Sequence, residues 1–202
     1  MRIIAGERRG HRFDGPEGRE ARPTSDFVRE AMFNILGDAV DGMLAIDLFA
    51  GTGALGLEAL SRGAARAIFV EMNRIHVALI RRNVATLRFE DRATVLTADV
   101  YRWARGFVAI DPEPVLVFVD PPYLEFENHP ERVKGLLGSL IAKLPQGSIL
   151  VVESGRIDEA DLLPDPEPWD VRRYGRTRVA LLTVGGASLP EDGGETPDGD
   201  DA

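Results

Sequence analysis

Leu44-Ala45-Ile46-Asp47-Leu48-Phe49-Ala50-Gly51-Thr52-Gly53-Ala54-Leu55-Gly56 is the stretch on which the fold turns. Residues 44–49 are apolar except for Asp47 and read as a strand buried on both faces. Gly51, Gly53 and Gly56 then fall in the spacing G-x-G-x-x-G, which follows a strand and opens a helix in nucleotide-binding folds. Glycine there permits a tight turn and lets a ligand approach the backbone, while the helix start offers free N–H groups. On its own the motif also suits a dinucleotide, whose pyrophosphate would take those N–H groups, or a bare strand-to-helix turn. Asp47, four residues before Gly51, would repel a pyrophosphate and suits a cofactor carrying an ammonium or sulfonium charge.

Working outward, short apolar strands alternate with helices. Strands are expected at 44–49, 66–71, 93–97, 115–120 and 148–153, and helices at 54–62, 74–87, 100–107 and 130–143. That alternation predicts an α/β domain with a mostly parallel sheet covered by helices on both faces. Residues 169–174 and 177–184, joined tightly around Gly175, read as an antiparallel end to the sheet. Upstream, a short strand is expected at 2–5, and Thr24 or Ser25 can cap a helix over 26–36. Three parts follow: an N-terminal extension and helix over 1–40, one catalytic domain over 41–184, and an acidic tail over 185–202 expected to be disordered.

The later strand ends carry the remaining candidates. Glu71 closes the second strand, twenty residues after Gly51, where a carboxylate can accept from both ribose hydroxyls of a nucleoside. Asp99 closes the third strand. There it can take the exocyclic amine of an adenine, cap the helix that follows, or do both. The fourth strand runs into Asp120-Pro121-Pro122-Tyr123. The amino group of a base is a poor nucleophile because its lone pair is delocalised. The Asp120 carboxylate and the Pro121 carbonyl can accept its two N–H bonds and turn the lone pair toward an incoming methyl group. The prolines make the loop stiff and rich in acceptors. Tyr123 offers a face on which an unstacked base can lie. A plain strand terminator would not need this combination of residues.

Composition narrows the classes further. The chain has no cysteine and three histidines, so disulfides, thiolate metal sites and a cysteine nucleophile are excluded and no metal is expected. The Met1–Gly6 start lacks the apolar core of a signal peptide, and no apolar run is long enough to span a membrane, so a cytoplasmic protein is expected. The net charge is −9, but the tail from Gly185 holds six acids and no base, leaving −3 for the rest. Two basic patches stand within it: Arg2, Arg8, Arg9 and Arg12 at the start, and Arg172, Arg173, Arg176 and Arg178 near the end. Either patch suits nucleic acid, or is simply solvated charge.

Taken together, the Asp47–Gly56 segment, Glu71, Asp99 and Asp120-Pro121-Pro122-Tyr123 resemble the class I methyltransferases that act on base amino groups. The resemblance extends to Arg2-Ile3-Ile4-Ala5-Gly6, Arg9-Gly10, Arg22-Pro23-Thr24, Asp26, Val28-Arg29-Glu30, Phe33-Asn34, the Gly53–Gly63 run, Tyr174-Gly175 and Thr177-Arg178. Over residues 1–184 these are similar to the RsmD family of bacterial 16S ribosomal RNA guanine-N2 methyltransferases. That resemblance implies a single Rossmann-like domain with a seven-stranded sheet, S-adenosyl-L-methionine as cofactor, and 16S rRNA in an at least partly assembled small ribosomal subunit as partner. It also implies a cofactor site of Asp47, Phe49, Gly51, Gly53, Glu71, Met72, Asp99, Val100 and Thr24. Arg22, Asp26 and Arg29 would lie near the cofactor and target base, and Arg8, Arg9 and Arg12 would hold RNA phosphates. The expected state is a monomer.

Three rivals stand beside this reading. A methyltransferase for adenine-N6 in DNA would use the same Asp-Pro-Pro-Tyr loop but usually carries an added recognition domain. A nicotinamide oxidoreductase would need a hydride-transfer site, which no Lys, Tyr or His arrangement suggests. A non-catalytic RNA-binding module would not need Asp120.

Overall fold

The computed structural model describes residues 1–15, 25–107, 113–155, 163–164 and 168–186. The tail from 187 onward, Arg22 and Thr24 lie outside them. Seven strands, β1 (Leu44–Leu48), β2 (Arg66–Glu71), β3 (Ala93–Thr97), β4 (Val115–Val119), β5 (Ile149–Ser154), β6 (Asp170–Tyr174) and β7 (Thr177–Thr183), form one sheet. Their order is β3-β2-β1-β4-β5-β7-β6. The first five run parallel; β7 lies antiparallel to both β5 and β6.

The helices are α1 (Asp26–Leu36), α2 (Ala54–Ser61), α3 (Arg74–Leu87), α4 (Val100–Gly106), α5 (Tyr123–Asn128) and α6 (Pro130–Ile141). Alternate strand residues serve opposite faces of the sheet. Leu116, Phe118, Val151, Val179 and Leu181 join Met32 and Phe33 of α1, Leu57 of α2 and Ile80 and Val84 of α3 in one core. Val117, Val119, Leu150, Val152, Ala180 and Leu182 join Val100 of α4, Phe126 of α5 and Val133 and Leu137 of α6 in the other. The near-continuous apolar reading of β4 reflects this two-sided burial.

Local chemistry sets the element ends. Ser25 caps α1, its hydroxyl accepting from the Val28 N–H at 3.2 Å, and Asn73 caps α3 by accepting from Ile75. Expected and observed elements agree within two residues, with two corrections. The strand expected at 2–5 is a single antiparallel bridge between Arg2 and Arg12. There Gly10 and His11 fold the segment back on Ile3, too tightly for a strand to lengthen. In addition, α5 forms directly after the two prolines, where a plain loop was expected.

The N-terminal segment is strapped onto the domain. Ile3 and Phe13 are buried, and the Glu58 carboxylate accepts from the N–H groups of Ile4 and Ala5 at 2.9 and 3.0 Å. No described helix is long and apolar enough to cross a membrane.

Candidate active site

Three loops meet at one edge of the sheet. β1 lies between β2 and β4, with Leu48 in register with both Val70 and Val119. The glycine loop after β1, Glu71 at the end of β2 and Asp120-Pro121-Pro122-Tyr123 after β4 are therefore neighbours. The chain steps outward through β2 and β3 and then returns to β4 beside β1. Such a reversal leaves a crevice at the carboxyl ends of the strands, where ligands bind in open α/β sheets.

Asp47 is buried in β1 and accepts from the Gly56 N–H at 2.9 Å. Burial pushes its pKa up from 3.8 to about 7; the Gly56 bond opposes the rise and the charge of Glu71 adds to it. A carboxyl held in this way becomes more acidic when a cation arrives beside it. Glu71 braces the loop: one oxygen accepts from the Gly51 N–H at 3.0 Å and the other from the Asn73 N–H at 2.7 Å. Gly51 and Gly53 take φ of 54° and 79°. A Cβ on Gly51 would meet the Phe49 carbonyl oxygen at an ordinary contact distance of 3.8 Å, so nothing crowds the backbone there. A Cβ on Gly56 would fall 2.4 Å from the Phe69 ring, so this glycine is what lets α2 pack against β2.

Phe49 is left-handed at φ 60°, a conformation that costs a bulky residue roughly 1–3 kcal/mol. Its ring meets Tyr101 edge-on at 5.7 Å. The Tyr101 hydroxyl donates to Glu125 at 2.7 Å, and the Arg132 guanidinium lies 4.1 Å from the Tyr101 ring centre. Asp99 caps α4, accepting from the Arg102 N–H at 2.8 Å. Val100 is buried beneath it and Met72 is exposed. Two carboxylates at strand ends, one of them favoured by a nearby cation, together with the uncrowded backbone at Gly51, fit a nucleoside cofactor with a cationic tail.

In the loop after β4, Asp120 is half-buried, Pro121 buried and Pro122 exposed at the start of α5. Tyr123 is 50% exposed, and its ring lies against Gly155, where a Cβ would approach it to 3.2 Å.

Two of the arginines, Arg29 and Arg8, depart from expectation. Arg29 is fully buried. Its guanidinium donates to the Arg2 carbonyl at 2.6 Å and to Asp26 at 3.0 Å, and lies 3.7 Å from Glu58. It holds the strap rather than meeting a substrate at the surface. Its helical spacing with Val28, Met32 and Phe33 already places it on the apolar side of α1. The Arg8 side chain donates to the Leu87 carbonyl at 2.8 Å and lies over Phe89. Since α3 begins at the ligand edge and ends at Leu87, Arg8 sits at the opposite edge from the glycine loop. Arg9 and Arg12 are exposed on the strap.

Two features escaped the sequence reading. One is the Tyr101–Glu125–Arg132 cluster. The other is Asn83, whose amide donates to the carbonyls of Asp14 and Thr52 at 3.0 Å each. Asn83 is spaced with Ile80, Val84 and Leu87 on the buried side of α3, a polar residue in an apolar row, and that was the available signal.

A family model described as conserved hypothetical protein 95 matches residues 1–183. Ribosomal RNA small subunit methyltransferase D of Escherichia coli strain K12 is 37% identical over 178 residues, covering 86% of this chain and 83% of that protein. The solved structure of yhhF from Escherichia coli superposes with a TM-score of 0.73 at 31% identity, covering 91% of this chain and 97% of that one. An RNA methyltransferase from Salinibacter ruber, solved in complex with S-adenosyl-L-homocysteine, shares the fold with a TM-score of 0.61 at 21% identity, over 86% of this chain and 100% of that one.

Proposed function

The chain belongs to the conserved hypothetical protein 95 family, that of the RsmD-type methyltransferases, and on that premise we propose that it methylates the N2 amino group of a guanine in 16S rRNA. The methyl donor is S-adenosyl-L-methionine and the substrate a small ribosomal subunit, assembled at least in part. The observation that carries this reading is the adjacency of the glycine loop, Glu71 and the Asp120-Pro121-Pro122-Tyr123 loop at one sheet edge.

The cofactor supplies an electrophilic methyl group on a sulfonium. Asp47 and the glycine loop would hold its charged amino-acid end, and Glu71 would accept from its ribose hydroxyls. The Asp120 carboxylate and Pro121 carbonyl accept the two N–H bonds of the guanine amine. Held in this way, the amine would present its lone pair to the cofactor's sulfonium methyl group, and Asp120 would take the proton that the nitrogen releases. Tyr123 stacks on the base drawn out of the RNA. Positioning and charge stabilisation account for the rate.

The test is methyl transfer from labelled S-adenosyl-L-methionine to small subunits, free 16S RNA and DNA, followed by digestion to nucleosides. N2-methylguanosine from subunits is the expected product. Label confined to N6-methyladenine in DNA would overturn the assignment.

A further inference from the structure

Five large apolar side chains stand exposed among the described residues: Phe27, Met72, Ile75, Tyr123 and Leu124. A single one on a surface is ordinary, but all five lie at the ligand edge. Met72 and Ile75 follow β2, and Tyr123 and Leu124 open α5 after β4. Phe27 belongs to α1, which packs on the sheet face opposite α5, and its ring meets Tyr174 edge-on at a centroid distance of 6.0 Å. Tyr174 ends β6 opposite Thr177, and Ser154 ends β5 opposite Arg178, so β6 finishes at the edge where β5 does.

A row of strand ends joins Phe27 to the Asp120-Pro121-Pro122-Tyr123 loop. One residue beyond Ser154 is Gly155, against which the Tyr123 ring lies. One residue before Arg178 is Thr177, which faces Tyr174. Neighbouring strands lie about 5 Å apart, so Tyr174 stands about 10 Å from the residue beneath Tyr123. Phe27 lies one ring further on. Tyr123 flanks this row from the α5 face and Phe27 from the α1 face, a separation that one or two unstacked nucleotides bridge.

Nothing in α1 itself calls for a ring at this position. Ser25 supplies the cap, and Val28, Met32, Phe33, Ile35 and Leu36 supply the buried side. A hydrophobic staple would use the residue before the cap and the fourth of the helix, not the second. Phe27 is 63% exposed where Phe33 of the same helix is 0%, and the half-buried Tyr174 holds it in place. An aromatic ring kept in one pose and open to solvent is a platform for an unpaired base, since every base has a π-face to lay on it. Exposed apolar side chains at three separate strand ends also suit splayed-out bases better than a protein, whose interfaces bury one continuous patch. From this we infer that Phe27 stacks on a base flanking the target nucleotide, one or two positions along the RNA from the base on Tyr123. The inference deepens the proposed function and rests on its reading of the substrate as ribosomal RNA.

The experiment measures steady-state methylation of small subunits by full-length wild type, F27A, F27L and F27Y across potassium chloride concentrations. Calorimetric binding of S-adenosyl-L-homocysteine, thermal melting and sedimentation are followed alongside. F27A should raise KM for the subunit by ~5-fold or more, with kcat within about 2-fold of wild type and cofactor affinity unchanged. F27L keeps apolar area but has no ring face, and should fall with F27A; F27Y should match wild type. Because the ring carries no charge, all four proteins should share one salt slope. An F27A with the wild-type KM, or an F27L that matches wild type, overturns the inference while leaving the methylation of rRNA intact. A loss of cofactor affinity or of melting temperature in both F27A and F27L assigns the ring to the frame of the domain and overturns it too. So does a wild-type dimer that F27A dissociates, which assigns the ring to a contact between copies of the chain. A wild type that transfers no methyl group to rRNA removes the underlying function, and this inference with it.

Discussion

Asp47 is an acid placed where acids are costly. Its carboxyl is buried, with a pKa raised from 3.8 to about 7. Between those values the folded chain keeps a proton that the unfolded chain has released. Its contribution to stability is thus full at low pH, falls as pH rises through the window, and is flat above it. The loss is on the order of 4 kcal/mol. Asn at this position has no proton to release and can still accept from Gly56. Urea unfolding of D47N and wild type at several pH values should show the gap between them shifting toward the variant from pH 4 to 7.5. Parallel curves would mean that Asp47 titrates normally. Asp120 makes a different demand, because it is proposed to meet the substrate. D120A should bind S-adenosyl-L-homocysteine like wild type and lose methyl transfer by ~100-fold or more. Full activity in that variant would remove Asp120 from the chemistry.

At the level of elements, α5 ties the two halves of the site together. It starts at the Asp120-Pro121-Pro122-Tyr123 loop, and its Glu125 accepts from Tyr101 of α4, whose ring touches Phe49 beside the glycine loop. Burial, followed by the bond to Glu125, pushes the Tyr101 hydroxyl well above its ordinary pKa, so it remains a donor at any working pH. Y101F keeps the ring and removes that donor to a charged acceptor, a bond worth about 1.5–3 kcal/mol. If α5 sets the pose of the Asp120 loop, kcat should fall ~10-fold, cofactor affinity should hold within about 2-fold, and E125Q, which keeps an acceptor, should be milder. Equal losses in Y101F and E125Q, or a loss confined to cofactor binding, would contradict this. None of this was legible in the sequence, because six residues holding two glutamates give no helical period. What was legible followed from burial on both faces: β1, β4 and β5 announce themselves as apolar runs, and Asp99 as a cap. Phe49's left-handed backbone was not, nor were the partners of Arg29, whose helical spacing shows only that it faces the apolar side of α1; both depend on tertiary contact. For Arg29 these include Glu58, 29 positions on in the chain.

Across the whole molecule, the N-terminal strap and the glycine loop share one fastening. The Asn83 carbonyl oxygen accepts from the Asp14 N–H at 2.9 Å, while its amide nitrogen donates to the Asp14 and Thr52 carbonyls. Thr52 lies between Gly51 and Gly53, so the position of the strap reaches the glycine loop through a single buried side chain. Removing it leaves three backbone groups in search of partners, and each one that stays buried costs ~1–3 kcal/mol. N83A should lose roughly 2–4 kcal/mol of stability on that scale. It should also expose the chain near Asp14 to protease and weaken S-adenosyl-L-homocysteine by ~10-fold, because binding must then order the loop. Bound ligand should in turn restore protection near Asp14, since coupling between two sites acts in both directions. If N83A is less stable yet binds the ligand as wild type does, and the ligand leaves cleavage near Asp14 unchanged, strap and loop are independent and Asn83 is only a packing residue.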